Sequence, residues 1–287
     1  MRRRLQTWRA VSPLVLAALL AGCATAAPEP NPYVASFLAA ESAAQSFAPI
    51  TAGRPAATLG EAYEVQGRII ARHRARGDRV AGFRGGLMSQ ASMAGRGVSA
   101  PLVGVMFASG RARSGGTVSL CGYRRAALEL KLGFVFGKPV RSEAGLSRLG
   151  DAVANVVPVA DLPDIAYRDP DHYGAADMVA ANITAARYVV GASHRVAGVD
   201  LDALKVSLTR DGEPVTSGLG RESLGSQWGG LRAVARQVLA TGRTIRPGDL
   251  VMTGRIGARP WLTPGRYQAD YGPLGDVGFT VEPCRKH

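Results

Sequence analysis

The sequence predicts an α+β domain, many short strands in a mixed sheet with a few helices packed on it, behind a leader for export. Three observations predict it. Helical apolar periodicity is confined to a few well-bounded segments. The long stretch from Val80 to Pro139 breaks into short apolar runs punctuated by glycine, as strands and turns do. Residues 1–32 differ in composition from all that follows. A chain of 287 residues exceeds the usual domain of roughly 100–200, but one large mixed domain behind a leader accommodates it.

The leader opens on MRRRLQTWR and continues with an apolar run, Val11–Leu20, interrupted only by Ser12 and Pro13. This run is too short for a permanent membrane-spanning helix of about 20 residues. It ends in Leu20-Ala21-Gly22-Cys23, which resembles the lipobox of bacterial lipoproteins. That resemblance implies a signal peptide over residues 1–22 and a lipid on Cys23. Ala24, standing where Asp would retain the protein at the inner membrane, implies the periplasmic side of the outer membrane. Residues 23–32 are small and proline-rich and suit a tether, so the domain is expected over residues 33–287.

Within the domain, an alanine-rich helix is expected over Val34–Gln45, then a break at Pro49 and Pro55. Thr58-Leu59-Gly60-Glu61 has capping-box spacing, and Ala62, Val65 and Ile69 place a helix from there to Gly77. Strands follow at VAGFRGGL, VGVMF, TVSL and Leu128–Phe136. A short helix over Asp151–Val156, strands at Val157–Asp161 and Tyr188–Gly191, and a helix over Ala175–Ala185 come next. Leu201–Arg210 alternates and runs into Asp211-Gly212, a hairpin turn, with Val215–Gly220 returning. Ser223–Leu239 is amphipathic and stops at Gly242. Asp249–Gly254, Gly265–Tyr271 and Gly275–Val281 close the domain as strands.

The net charge of +13 invites a nucleic-acid reading, but its distribution argues against one. Four arginines leave with the leader, and only Arg68–Arg79 is dense, where a helix would present a solvated face. The four histidines, at 73, 172, 194 and 287, are isolated, so no metal-ligand spacing exists among them. Once Cys23 is set aside, Cys121 and Cys284 are an even pair in an oxidising compartment, either bonded or separately buried.

The order of segments resembles the 2-keto-4-pentenoate hydratase and 4-oxalocrotonate decarboxylase group of the fumarylacetoacetate hydrolase superfamily. The matching pieces are EAYEVQ (Glu61–Gln66), VAGFRGGLMSQA (Val80–Ala91), GVSAPLVGVMF (Gly97–Phe107), ALELKLGFVFG (Ala127–Gly137), VVPVADLPD (Val156–Asp164), DMVAANITAARYVVG (Asp177–Gly191) and RPGDLVMTG (Arg246–Gly254). The resemblance implies a mixed β-sheet roll with flanking helices, a homo-oligomer, and Mg2+ or Mn2+ held by three carboxylates against a short 2-oxo or 2-hydroxydienoic acid. Its activity would be that of a hydro-lyase.

The implied ligand set is altered here. Glu129 keeps the first carboxylate and Asp161 the third, but Lys131 stands at the second, on the same strand face as Glu129. A cation at a ligand position opposes a dication, so Lys131 is expected either to replace the metal and hold an acid's carboxylate, or to form a structural ion pair. Arg84 falls where the family has a lysine, and Gln90 where a second is common. Leu102 falls where an acid is expected. Arg84, Thr184 and Thr253 remain as groups able to hydrogen-bond a substrate, and a non-catalytic lipoprotein using the cavity for a small acid or a protein partner is the competing expectation.

Overall fold

The computed structural model describes residues 30–196 and 198–285. The segments expected to be a signal peptide and most of a tether, with Cys23 and His287, lie outside the described residues. Helix α1 (Pro32–Ser42) starts on Asn31, whose side chain accepts from the Val34 amide, with proline at the first helical position where no amide is needed. In α2 (Leu59–Ala75) the capping box is present in both directions between Thr58 and Glu61. Strand β1 (Val80–Gly86), helix α3 (Gln90–Ala94), and strands β2 (Leu102–Phe107), β3 (Arg111–Arg113), β4 (Thr117–Ser119) and β5 (Glu129–Phe136) follow.

Helices α4 (Glu143–Leu146) and α5 (Leu149–Ala152) precede β6 (Val153–Leu162). The helix expected over Asp151–Val156 therefore ends at Ala152, because Val153–Val156 pairs with β5. After α6 (Ala175–Ala180) the helix expected to reach Ala185 stops. Asn182, Ile183 and Thr184 all take left-handed φ of 51–53°, forming a tight turn. Such backbone costs roughly 1–2 kcal/mol per residue outside glycine. Asn182 offsets part of it by donating to the Val105 carbonyl (2.8 Å) and accepting from the Val105 amide (2.7 Å), which pins the turn to β2.

Strand β7 (Arg187–Val190) leads to the hairpin of β8 (Lys205–Arg210) and β9 (Glu213–Leu219), turned at Asp211 and Gly212, both with positive φ. Helix α7 (Gln227–Ala240) begins four residues later than its apolar pattern, capped by Ser226. Strands β10 (Leu250–Met252), β11 (Gly265–Asp270) and β12 (Asp276–Glu282) complete the chain.

Seven strands form one sheet in the order β2-β1-β10-β5-β6-β7-β3, and five form a second in the order β4-β12-β11-β8-β9. Both are mixed: β1–β10, β3–β7 and β4–β12 run parallel, the other pairs antiparallel. The largest apolar cluster unites Leu128 just before β5, Leu130 and Leu132 of β5, Leu231 and Val234 of α7, and Val277 and Phe279 of β12. A second cluster gathers α1, α2 and α6 around Phe37, Val65 and Val179. Beyond the parallel β4–β12 edge, Cys121 and Cys284 are joined by a disulfide. This selects the bonded alternative; the contact depends on β4 and β12 lying side by side, which spacing in sequence does not reveal.

Candidate functional site

The alternation E-L-K-L in β5 turns Leu130 and Leu132 into the main core and puts Glu129 and Lys131 on the other face. Asp161 of β6 lies directly opposite Glu129 in the register. Arg84 comes from β1, two strands away, in a row that runs Arg84, Met252, Gly133 across β1, β10 and β5. Gly82 keeps that row close: with φ of 148°, an added Cβ would sit 1.8 Å from the Leu250 carbonyl oxygen. No side chain is admissible there.

The four charged groups close into a square. Lys131 Nζ lies 2.9 Å from Glu129 Oε2 and 2.8 Å from Asp161 Oδ2. Arg84 Nη2 approaches the same two oxygens at 3.3 and 2.8 Å. Lys131 also donates to the Gly85 carbonyl at 3.4 Å. Arg84, Lys131 and Asp161 are each exposed by 2% or less, so every charge depends on its neighbours rather than on water. Burial pushes the Glu129 carboxyl up, but Lys131, Arg84 and Arg259 together outweigh it and hold the group at about 2.

Glu129, Lys131 and Arg84 line a cavity of about 480 Å³, and Asp161 stands behind them. Its apolar side comes from Met88, Ile165, Tyr167 and Ile183. Arg255 and Arg259, from the loop after β10, add two cations, and Arg259 Nη1 reaches within 4.0 Å of Glu129 Oε1. Glu222 also lines the cavity, but its carboxylate accepts from the Leu219 and Gly257 amides and so anchors that loop. Excess positive charge around a partly apolar cavity suits a small organic anion. Two donors of Arg84, Nε and Nη1, are buried without a hydrogen-bond partner.

Of the residues singled out in the sequence, the structure brings Arg84, Glu129, Lys131 and Asp161 together and adds Thr184 to the cavity wall. The Thr184 hydroxyl donates to the Ile183 carbonyl at 2.7 Å. Thr253 is a correction: it is fully buried and does not line the cavity. Its hydroxyl lies 2.5 Å from Gln227 Oε1 and 3.2 Å from the Leu132 carbonyl, which fastens β10 to α7. Gln90 is exposed on α3 and does not line the cavity, and Leu102 is packed in the helical cluster. Arg255, Arg259 and Glu222 were not found by sequence reasoning, since loop residues carry no periodicity and their charge is ordinary in an arginine-rich chain.

A divalent metal does not fit these residues. Among the described residues no three His, Cys, Asp or Glu side chains gather as a ligand set. The oxygens of Glu129 and Asp161 that face each other already hold Lys131 and Arg84. Each like unit charge about 4 Å away costs about 4 kcal/mol at an effective dielectric near 20, and a dication would face two such cations doubly charged itself.

The family model for the fumarylacetoacetate (FAA) hydrolase C-terminal region matches residues 86–280. A 4-oxalocrotonate decarboxylase of Pseudomonas sp is 30% identical over 234 residues, covering 81% of this chain and 91% of its own length. A 2-keto-4-pentenoate hydratase of Paraburkholderia xenovorans is 28% identical over 256 residues, covering 84% and 94%. The 4-oxalocrotonate decarboxylase from Pseudomonas putida G7, solved with magnesium and adipate, superposes with a TM-score of 0.83 at 27% identity over 87% of this chain and 96% of its own. The same decarboxylase has been solved with calcium and acetate. The Pseudomonas putida G7 structures hold magnesium or calcium, whereas in this chain Lys131 and Arg84 take up the facing oxygens of Glu129 and Asp161.

Proposed function

The chain belongs to the fumarylacetoacetate hydrolase family, and we propose that it is a hydratase-like protein whose cavity takes a short 2-oxo or 2-hydroxydienoic acid without a divalent metal. The observation that carries this is the square of Lys131 and Arg84 on Glu129 and Asp161 at the wall of a cationic cavity. An entering carboxylate competes with Glu129 for Lys131, Arg84 and Arg259. As those cations turn to the ligand, Glu129 loses what holds its pKa low and becomes a stronger base, next to the carbon acid it would deprotonate. The activity consistent with this is a hydro-lyase step on the bound acid.

The test is loss of dienol ultraviolet absorbance from 2-hydroxypenta-2,4-dienoate, with chelator and with added magnesium or manganese. Turnover in chelator that Glu129→Ala removes supports the reading; turnover only with metal refutes its metal-free part. A second reading, a non-catalytic receptor for a small acid or a protein partner, is favoured by the ion pairs that one oxygen of each carboxylate makes with both cations. Tight binding of an oxo acid with no turnover under either condition selects it.

We also propose that the protein works outside the cytoplasm, lipid-anchored through Cys23. The lipobox-like leader supports this, and so does the Cys121–Cys284 bond, a linkage that persists in oxidising compartments. Palmitate labelling lost in Cys23→Ser, with label in the outer-membrane fraction, is the expected result. A homo-oligomer, proposed from the resemblance alone, would show as a multiple of the chain mass in light scattering.

A further inference from the structure

We propose that Lys131 is a Schiff-base nucleophile, condensing with the 2-oxo carbon of the acid in the cavity so that an iminium withdraws electrons from the neighbouring carbon. The proposal rests on the reading that the cavity holds a 2-oxo acid. Three observations carry it. The first is residue choice. The chain has 31 arginines and only 4 lysines, and of the described lysines Lys138 and Lys205 are exposed while Lys131 is 1% exposed at the cavity wall. For charge alone arginine serves better, being planar, permanently charged and able to hold carboxylates in pairs. Lysine is the cation that can become a neutral nucleophile.

The second observation is redundancy. Arg84 Nη2 touches the same two carboxylate oxygens as Lys131 Nζ. If Lys131 passes a proton to Asp161 or Glu129, the square becomes an amine, a carboxylic acid, a carboxylate and the Arg84 guanidinium. Arg84 Nη2 stays within 3.3 Å of both carboxylate oxygens whichever group holds that proton, so Lys131 can turn to a bound acid without stripping the carboxylates of a cation. The third is the pair of unpartnered donors on Arg84, Nε and Nη1, buried on a residue that lines the cavity. They supply a permanent cation to hold the acid's carboxylate while its neighbouring carbonyl meets the amine.

The step balances without any added oxidant or reductant. The ammonium gives one proton to a carboxylate, and the nitrogen lone pair forms a bond to C2 as the carbonyl π pair moves to oxygen. A second nitrogen proton moves to that oxygen, giving the carbinolamine. The carboxylic acid returns its proton to the hydroxyl, the C–O bond breaks, water leaves and the nitrogen lone pair forms C=N. Ammonium and ketone have become iminium and water, one positive charge on each side. The iminium then acidifies C3, and Glu129 lies beside it to take that proton.

The test uses the whole purified protein in chelator with 2-oxobutanoate. Reversible binding is measured by calorimetry, and a parallel sample is reduced with borohydride and mapped by mass spectrometry. The expected result is calorimetric binding together with a reduced adduct on Lys131, lost in Lys131→Met and in Lys131→Arg. The arginine variant keeps the charge of the square, and an unchanged thermal midpoint shows that it is folded. Binding without an adduct, or an adduct on Lys138, Lys205 or Lys286 that persists in Lys131→Arg, overturns the Schiff base and leaves the acid-binding reading standing. Neither binding nor adduct overturns the acid-binding reading and the nucleophile with it.

Discussion

Asp161 and Asp177 are both buried carboxylates, yet they are held in opposite ways, the one by ion pairs and the other by hydrogen bonds. Asp177, in the first turn of α6, accepts from the Thr51 amide and hydroxyl at 2.9 Å each and from the Gly174 amide at 2.7 Å. These donors are neutral and held by local backbone, and they fasten α6 to the turn at Ile50–Ala52. Asp161 faces two long cationic side chains, Lys131 and Arg84, drawn from other strands. A backbone amide cannot leave its carboxylate without unfolding; a lysine or arginine can trade one carboxylate for another. Asp177 is a staple, whereas Asp161 is a counter-ion whose cations are free to turn to another carboxylate, as the proposed acid site requires.

The sharpest way to break this contrast is Asp161→Ala. Removing one partner of a buried ion network leaves uncompensated charge, at a cost of about 3–5 kcal/mol. Denaturant titration should show that loss, while oxalate, added as a carboxylate probe, restores stability by taking the empty place. A variant as stable as the wild type without anion would show that the square is not electrostatically closed.

Acid titration probes the same network through Glu129. Its pKa is lowered from 4.5 to about 2 in the fold, so the stabilisation is fully present above about 4.5 and is lost as pH falls toward 2. The depression corresponds to about 3 kcal/mol. Glu129→Gln should flatten stability between those pH values relative to the wild type; parallel acid profiles would sink the assignment.

How much of this was legible in the sequence follows the range of each interaction. The capping box at Thr58 and the hairpin at Asp211-Gly212 are local, and the residues name them outright. Glu129 and Lys131 share a face by the period of a strand, also local. Their meeting with Asp161 on the neighbouring β6, and with Arg84 beyond the intervening β10, joins residues distant in sequence and was readable only through the resemblance. The end of α6 was missed because Asn182 trades helical bonds for the edge of β2, a tertiary gain absent from any helical pattern. Arg255 and Arg259 were missed because a loop is placed by its anchor, here Glu222, and not by periodicity.

Asp177→Ala tests the staple side of the contrast. Three donors lose a charged acceptor, which should cost about 2–3 kcal/mol. Carboxylate affinity at the cavity should stay at the wild-type level in calorimetry at a temperature where the variant is folded, and Asp177→Asn should recover part of the stability. A loss of affinity at Asp177 equal to that at Lys131 would erase the distinction between staple and counter-ion.

The smallest effect separates the two threonines that sequence reading treated alike. Thr253→Val removes the donor to Gln227 Oε1, leaving that buried oxygen short of a partner, at about 1–2 kcal/mol. Gln227 keeps its own bond to the Gly220 carbonyl, so α7 stays docked and the cavity keeps its shape. Carboxylate affinity should therefore be unchanged. Thr184 presents the reverse case, since it lines the cavity and its hydroxyl bonds only to its own turn. Thr184→Val should leave the melting midpoint nearly unmoved and lower carboxylate affinity if the hydroxyl turns to the ligand. Equal affinity losses in both variants would mean that the Thr253 strand moves on binding and that the wall beside β10 belongs to the site after all.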